Sequence, residues 1–492
     1  MATIDDKLLE KPKVRLWAIS QGYDDPFDLL GPEEISTFSA MGDFASETAA
    51  EIYEQGANNG PLMDIDPAEL EGLKEKVLSE SSGRGHGSVD DMNWFCFVIK
   101  NLTRIATLML CGPEWLQHEQ QSFRRVKPGN LFYLPDALKE HKEVIDLGTK
   151  AFEFYAEMVQ AKVPEEDARN LVPLLAKTNI TSSSNSRELK HFLHLGSRDY
   201  MPSVVKMNVV APMREQLLGA APKLFVERAT NYEMLGWWPS PVLFAPHNVI
   251  LKKIISEMES PKNTTYVAHP VLKGTDQESK DKYEDQLLIL EVWMERALKE
   301  RYEPELSLLK HSHNGGPIEG YLAPMSISCF HQMTRQRTLH QAVESIYDAV
   351  DRGVIVIPPK IANTEFKERY IEQSRAMINC YKDLVAKGVP KEEAIGIIPH
   401  SLMVYDLLHV SGTNAYLFIG KRTCKEAQWE IRGIANDICT DIKKKNPAYK
   451  NIASSQGTIY RRCPERNGCP SFAKELKCPS FPGTNPEIFY KL

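Results

Sequence analysis

Arginine, glutamine and serine recur at two places in this chain, and together they are groups that grip an anion. The first place carries His86-Gly87-Ser88, Thr103-Arg104 and Gln120-Gln121-Ser122-Phe123-Arg124. The second carries Pro317-Ile318-Glu319, Gln332-Met333-Thr334-Arg335-Gln336-Arg337 and Ser345. A guanidinium presents a planar fork of donors, and a hydroxyl beside it suits a phosphate group. Taken singly, any of these arginines is more often a surface or ion-pair residue. Their order and spacing, found twice, raise them above that background. What one copy has lost the other tends to keep, which points to one working site built from two halves of a duplicated chain.

The elements that must position these groups follow the same order twice. Val14 to Ser20 alternates in polarity and reads as a strand. Residues 41–59 and 68–79 look helical, and Asn93 to Leu110 is a long, mostly apolar helix candidate. Leu138 to Gln160 is amphipathic and predicts another helix. Pro164 and the acids Glu165-Glu166-Asp167 start the next one. A Ser/Thr stretch follows, then Arg187 to Leu195. Residues 233–247, rich in Trp, Pro and Gly, read as a connection. Lys273 to Asp285 reads as a surface excursion, and helical periodicity returns at 284–299. Met325 to His340 then matches the first long helix and Glu365 to Lys387 the amphipathic one. Pro390-Lys391-Glu392-Glu393-Ala394 echoes Pro164-Glu165-Glu166-Asp167-Ala168, and Ile398-Pro399 echoes Val172-Pro173. Two repeats are too few for a solenoid.

The chain has 492 residues, 42% hydrophobic and 25% charged, in the range of soluble globular domains. A net charge of -7 gives no general reason to expect a nucleic acid polymer, though a local basic pocket for a small anion is compatible with it. No apolar stretch reaches about 18 residues, so no membrane span is expected. Met1 to Lys11 is unlike a signal peptide, which makes the cytoplasm the default location. Of nine cysteines, Cys96, Cys111, Cys329 and Cys380 sit in apolar surroundings and read as buried thiols. Cys439, Cys463, Cys469 and Cys478 are metal candidates, but their spacing matches neither a standard zinc site nor common iron–sulfur runs. Zinc, an iron–sulfur cluster and plain structural thiols stay open for them.

These motifs resemble the flavin-dependent thymidylate synthase family. Its signature reads Arg-His-Arg-x-x-Ser-x-Asn/Gln-Glu/Gln-x-Ser-x-Arg. It follows a Gly-His-x-Ser/Thr element and a Ser-Arg pair, and precedes Ala-Arg-x-x-Leu-Pro, Asn-x-Arg and Arg-x-x-x-x-Ala-Gln-Trp-Glu-Ile-Arg elements. The resemblance spans roughly 80–210 and 310–440. In the first half, Gly85-His86-Gly87-Ser88, Thr103-Arg104, Gln120, Ser122, Arg124, Ala168-Arg169 and Asn185-Ser186-Arg187 fit. The Arg-His-Arg triplet there has become Gly112-Pro113-Glu114, and a glutamate would repel phosphate. In the second half, Gln332, Arg335, Arg337, Arg422 and Ala427-Gln428-Trp429-Glu430-Ile431-Arg432 fit. There Gln336 replaces the signature histidine, Ile395 the Leu-Pro arginine, and no Asn-x-Arg survives near 411–416. Met92 and Gly320 stand where the family has another histidine.

The resemblance implies an FAD-dependent reductive methylation of dUMP to dTMP, with methylenetetrahydrofolate giving the carbon and NADPH reloading the flavin. It implies Gln120, Ser122, Arg124, Arg169, Gln332 and Arg422 as the nucleotide set, with Arg422 and Ser122 nearest the chemistry. Arg335, Gln336, Arg337, Asn185, His191 and Ser88 are the implied flavin set. Family sites lie between subunits of a homotetramer, so a homodimer acting as a pseudo-tetramer, with two live sites and two dead ones, is expected. Two other readings stay open: a flavoenzyme modifying C5 of another pyrimidine nucleotide or adding another group, and a non-catalytic nucleotide-binding protein. The bland readings are a core role for Trp429, a structural role for His86 and a solvated helix end for Lys443-Lys444-Lys445. The expected fold is α/β (α+β): two tandem thymidylate synthase-like domains, each a twisted sheet flanked by helices. The boundaries are 1–230, 231–450 and a Cys-rich tail at 451–492.

Overall fold

The computed structural model describes residues 5–22, 30–55, 66–84, 86–123, 132–226, 241–267, 319–445, 450, 452–463, 469 and 478–492. Most of the connection at 233–247, the excursion at 273–285 and the helix expected at 284–299 lie outside these residues, as do Gly85, Arg124, Pro317 and Ile318. The chain divides into two compact units. The first comprises Met1–Glu153, Pro173–Ser240 and Cys380–Ile397; the second comprises Phe154–Val172, Pro241–Asn379 and Ile398–Leu492. A piece of each half of the sequence therefore belongs to the unit built mainly from the other half.

The first unit is organised on a four-stranded antiparallel sheet of order β1-β2-β4-β3. Its strands are β1 (Lys13–Ile19), β2 (Phe95–Thr103), β3 (Gln117–Gln120) and β4 (Lys177–Ser184). Residues 93–110 are thus not one helix but β2 followed by a helix, Arg104–Leu110. The run is apolar enough to disguise its period, yet Phe95, Phe97 and Ile99 are fully buried while Val98 and Lys100 are exposed, a period of two. Thr103 then switches the chain to helix by accepting the Ala106 N–H at 3.3 Å. The helix expected over 41–59 is also broken, into Pro32–Gly42 and Ala49–Gln55. Thr48 and Glu51 form a reciprocal capping box there, Thr48 N to Glu51 Oε2 at 2.8 Å and Glu51 N to Thr48 Oγ1 at 3.3 Å, which starts the second helix. The edge strand β1 is guarded by Gln216, from helix Ala211–Ala220, whose Oε1 accepts the Leu16 N–H at 2.6 Å and whose Nε2 donates to Val14 O at 3.1 Å.

The second unit repeats the plan. Its sheet, β5-β6-β9-β7, joins β5 (Thr265–Val267), β6 (Glu319–Ser326), β7 (His340–Val343) and β9 (Met403–Val410), again all antiparallel. The single helix expected over 325–340 is instead the end of β6, a helix α1 (Ile327–Met333), a turn and the start of β7. Ser326 plays the part of Thr103, accepting the Cys329 N–H at 3.1 Å. The amphipathic helices at 138–160 and 365–387 are present as Lys142–Gln160 and Phe366–Ala386.

The two sheets differ in how their outer faces are finished. In the second, Leu322, Met403 and Tyr405 pack against Leu251 and Ile255 of helix α2 (Val249–Glu257), and against Ile488 and Phe489 near the C-terminus. Phe489–Lys491 forms β10, which pairs with β8 (Val354–Val356), so the chain's last residues are built into this unit. Each such large apolar side chain contributes about 1.5–3 kcal/mol on full burial. Among the described residues the outer face of the first sheet has no comparable cover and exposes Trp17, Trp94, Trp115 and Val98.

Candidate functional site

In the second unit the sequence motif Ala427–Arg432 acts as a frame. Gln428 Oε1 accepts the N–H groups of Glu430 and Ile431, both at 3.1 Å, and so caps helix α3 (Trp429–Lys445). The Trp429 indole donates to Asp167 Oδ1 at 2.7 Å. Glu430, fully enclosed, takes the Ser326 N–H at 2.6 Å and the Ser326 hydroxyl at 2.7 Å, which locks the start of α1. Arg432 closes the loop before it, donating to Lys425 O at 2.8 Å and Ala427 O at 3.1 Å. Trp429 is thus both half-buried and hydrogen-bonded, more than a plain core residue.

Burial pushes the Glu430 carboxyl up to about 7, against the opposing pull of its Ser326 bonds. Burial likewise raises Asp167 to about 6, with the Trp429 bond acting the other way. The buried Cys329 thiol is raised well above its ordinary value, first by burial and then by Glu430; the positive charges of Arg422 and Arg169 oppose the rise. Those two guanidiniums, 253 positions apart in sequence, therefore act on one buried atom in the second unit.

Arg422 ends a short helix, Gly420–Arg422. The orientation of the Gln336 amide that satisfies both groups has its oxygen accepting from Arg422 Nε at 3.1 Å and from Arg422 Nη2. The Gln336 backbone is itself fixed, its N–H donating to Met333 O at 2.8 Å and its carbonyl accepting the Leu339 N–H at 2.8 Å. Gln332 is half-buried on α1 and its amide reaches Ser328 O at 3.4 Å. Arg335 is exposed and Arg337 half-buried. Arg169 Nε donates to Glu166 O at 3.2 Å.

The other expected site residues lie in the first unit. Gln120 is on β3, opposite Ile180, and the half-buried Ser122 follows that strand; Arg124 is outside the described residues. Ser88 is exposed on the short helix Gly87–Asp90. Asn185 caps the helix Ser186–Gly196 by accepting the Glu188 N–H at 3.0 Å, and its amide donates to Asp91 at 2.9 Å. His191 is buried on that helix, 3.8 Å from Glu188. Arg187 pairs with Asp91 at 3.0 Å. Its Nε is buried without a hydrogen-bond partner, and a β-carbon on Gly87 would stand 2.9 Å from that atom.

Among the described residues no group of three or more His, Cys, Asp or Glu is placed to hold a metal. Cys439 donates its thiol to Ala453 O at 2.9 Å, and burial raises its pKa, as suits a structural thiol. Cys463, Cys469 and Cys478 are half-buried. No described helix is long and apolar enough to cross a membrane.

Sequence reasoning passed over Glu430 and Asp167 as site-framing carboxylates, although both lie inside motifs it used. It also missed Asp406. That residue is fully buried on β9 between Ala323 and Val343, neither carboxylate oxygen has a hydrogen-bond partner, and burial pushes it up to about 8. The available signal was one acid inside the apolar run Met403-Val404-Tyr405-Asp406-Leu407-Leu408.

Two sheets of one topology, each followed by the same capped turn into a helix, define a duplicated α/β protein. Comparison with known proteins gives the class: the family model for thymidylate synthase complementing protein matches residues 31–201 and 253–448. The chain belongs to that family. A flavin-dependent thymidylate synthase of Sulfolobus acidocaldarius is 29% identical over 190 residues, covering 38% of this chain and 69% of that protein. One from Geobacter sulfurreducens is 29% identical over 175 residues, covering 35% and 73%. Among solved structures, the UMP/dUMP methylase PolB from Streptomyces cacaoi, bound with 5-Br dUMP, matches 44% of this chain and 94% of its own at 19% identity, with a TM-score of 0.34.

Proposed function

We propose that this chain is a flavin-dependent thymidylate synthase, methylating C5 of dUMP to give dTMP at composite sites to which both halves contribute. The observation that carries the reading is Arg169. It comes from the first half of the sequence and belongs to the second compact unit, the one that also holds Gln336 and Arg422. Membership of the family and the similarity to named flavin-dependent thymidylate synthases support the same reaction.

In this reading Ser122, Arg124 and Arg169 grip the nucleotide phosphate, with Gln120 and Gln332 adding amide hydrogen bonds. Arg422 lies toward the uracil, where a fixed positive charge favours electron density at C5 in the transition state. Gln336 sets the plane of that guanidinium. Arg335 and Arg337 hold FAD from the second half. Ser88 and Asn185 hold it from the first, where the buried Arg187 Nε, packed close against Gly87 and without a hydrogen-bond partner, offers a further donor. When bound, the reduced flavin supplies the hydride, methylenetetrahydrofolate the carbon and NADPH the reloading electrons. The assembly is a homodimer with two live and two dead sites, located in the cytoplasm.

The test is a visible spectrum of the purified full chain with FAD. It is followed by mass spectrometry of the product after adding dUMP, methylenetetrahydrofolate and NADPH. A flavin spectrum with dTMP formed is the expected result; absence of flavin binding overturns the reading. Gln336, a neutral amide where the family signature has histidine, favours a second reading in which another group is added at C5. A hydroxymethyl product would select that one.

A further inference from the structure

Two adjacent carboxylates, Asp90 and Asp91, grip the start of the helix Ser186–Gly196, and they do so in unequal surroundings. Asp90 is buried. Its Oδ1 accepts from the Lys190 ammonium at 2.8 Å and the Ser186 hydroxyl at 2.9 Å, and its Oδ2 accepts from the Ser82 hydroxyl at 2.9 Å. The Asn93 amide completes the ring, its oxygen taking the Ser186 N–H at 2.9 Å and its nitrogen donating to the Ser186 hydroxyl at 3.0 Å. The Asp90 and Lys190 side chains are each 7% exposed, so losing either one strands a buried charge and is strongly destabilising. Asp91 lies at the surface. Its Oδ1 accepts from the Asn185 amide at 2.9 Å and its Oδ2 from Arg187 Nη1 at 3.0 Å. An ion pair this exposed adds little to stability, and the neighbouring Asp90 already secures the helix.

What Asp91 fixes is direction. Asn185 has committed its oxygen to the Glu188 N–H and one amide hydrogen to Asp91, which orients the amide and leaves its other hydrogen to a ligand. The Arg187 guanidinium is drawn against Gly87, where a β-carbon would stand 2.9 Å from Nε and 3.0 Å from Cζ, and its Nε is buried without a hydrogen-bond partner. We propose that Asp91 is a positioning residue for flavin binding, one carboxylate that holds the Asn185 amide and the Arg187 guanidinium in a single arrangement before the acceptor atoms of FAD arrive. Donors fixed in advance spare the ligand the cost of ordering them. Asp90 gives Asp91 an anchored backbone, and Gly87 gives the guanidinium its room. The inference deepens the reading proposed above and rests on its placing FAD against this end of the first unit.

Titration of FAD with the flavin-free full chain, followed by flavin fluorescence, tests it beside dUMP calorimetry at saturating FAD and urea denaturation. Asp91→Ala should weaken FAD binding by about tenfold or more, leave dUMP affinity within about threefold and barely move the urea midpoint. Gly87→Ala, which displaces the same guanidinium without touching a charge, should also weaken FAD by about tenfold. Because Asp91 acts largely through Arg187, the double variant Asp91→Ala, Arg187→Ala should bind FAD no more than about threefold worse than the weaker single variant. A native chain that binds FAD together with an Asp91→Ala variant of native FAD affinity overturns this inference alone. So does a double variant whose two losses simply multiply, or an Asp91→Ala variant whose urea midpoint falls steeply, which would make the residue structural. A native chain that binds no FAD overturns the proposed function and this inference with it.

Discussion

Replacing Asp406 by asparagine should make the protein more stable at neutral pH, and by an amount that depends on pH in a definite way. The carboxyl is fully buried without hydrogen-bond partners, and burial raises it from 3.8 to about 8. The folded state therefore holds a proton that the unfolded chain has released. Below about pH 4 both states are protonated and the group has no effect. As pH rises from about 4 to 8 the native protein loses stability at about 1.4 kcal/mol per unit, and above that the loss levels off. At pH 7 the accumulated cost has an upper limit of about 4 kcal/mol. Asparagine removes the titration but brings an amide that also lacks partners, a constant penalty of about 1–3 kcal/mol. The net gain at pH 7 is then about 1–3 kcal/mol by difference. The cleaner quantity is the change in the native-minus-variant difference between pH 5 and pH 7, about 2.7 kcal/mol, from which the constant penalty cancels. Glu430 and Asp167 also titrate in this range, but they do so in both proteins and drop out of the difference. Urea denaturation at the two pH values, followed by circular dichroism, measures it. A difference that stays flat between pH 5 and pH 7 would refute the argument that Asp406 is protonated by burial in the folded protein.

Three further perturbations bear on the site. Arg124→Ala should weaken dUMP binding about tenfold or more, the loss of one charge-assisted bond, whereas Arg335→Ala should mainly weaken FAD; titration calorimetry with each ligand separates them, and unchanged nucleotide affinity in Arg124→Ala would defeat the composite site. Gln336→His should leave nucleotide affinity nearly native at pH 8 and lower it about tenfold relative to the native protein by pH 5.5, as an imidazolium repels Arg422. Trp429→Phe keeps the ring but deletes the bond to Asp167, and should cost about 1–2 kcal/mol in urea denaturation at pH 7.

The helices at 142–160 and 366–386 were legible because their apolar residues recur at helical spacing over many turns. The breaks at 103 and 326 were not. In both places an apolar strand runs into an apolar helix, and a single Thr or Ser cap marks the change. The family resemblance drew out Gln336 and Arg422, but not that the amide would face the guanidinium, because two residues 86 positions apart meet only through the fold. Glu430 was read as part of a motif without a task. Its task, holding the N–H and hydroxyl of Ser326, depends on β6 ending beneath α3, which no local pattern encodes. Asp406 was hidden for a related reason: a lone acid in an apolar run looks like a strand edge until pairing puts it between β6 and β7.

The two halves also differ in a way that separates structural residues from the residues proposed to bind ligand. Thr103 and Ser326 occupy equivalent caps, and both keep a hydroxyl that bonds the first turn of the helix. Asn185 and Ser411 follow the equivalent strands β4 and β9, and both accept an N–H from the helix that begins there, Glu188 at 3.0 Å and Asn414 at 3.4 Å. Asn185 has a second contact that a serine cannot match while capping, an amide that donates to Asp91. At that position the second half has retained the cap and dropped the amide. The same holds at the Leu-Pro element, where Ala168 and Ala394 are both fully buried but only the first half follows with arginine, whereas at the signature triplet the second half keeps Arg335 and Arg337 where the first has Gly112 and Glu114. Loss by drift would strike caps and ligands alike, since a missing cap costs only about 1 kcal/mol. Here folding residues survive in both halves, while the residues proposed to bind ligand survive in one half or the other. That division is the expected result when the fold is needed twice and each contribution to a shared site is needed once.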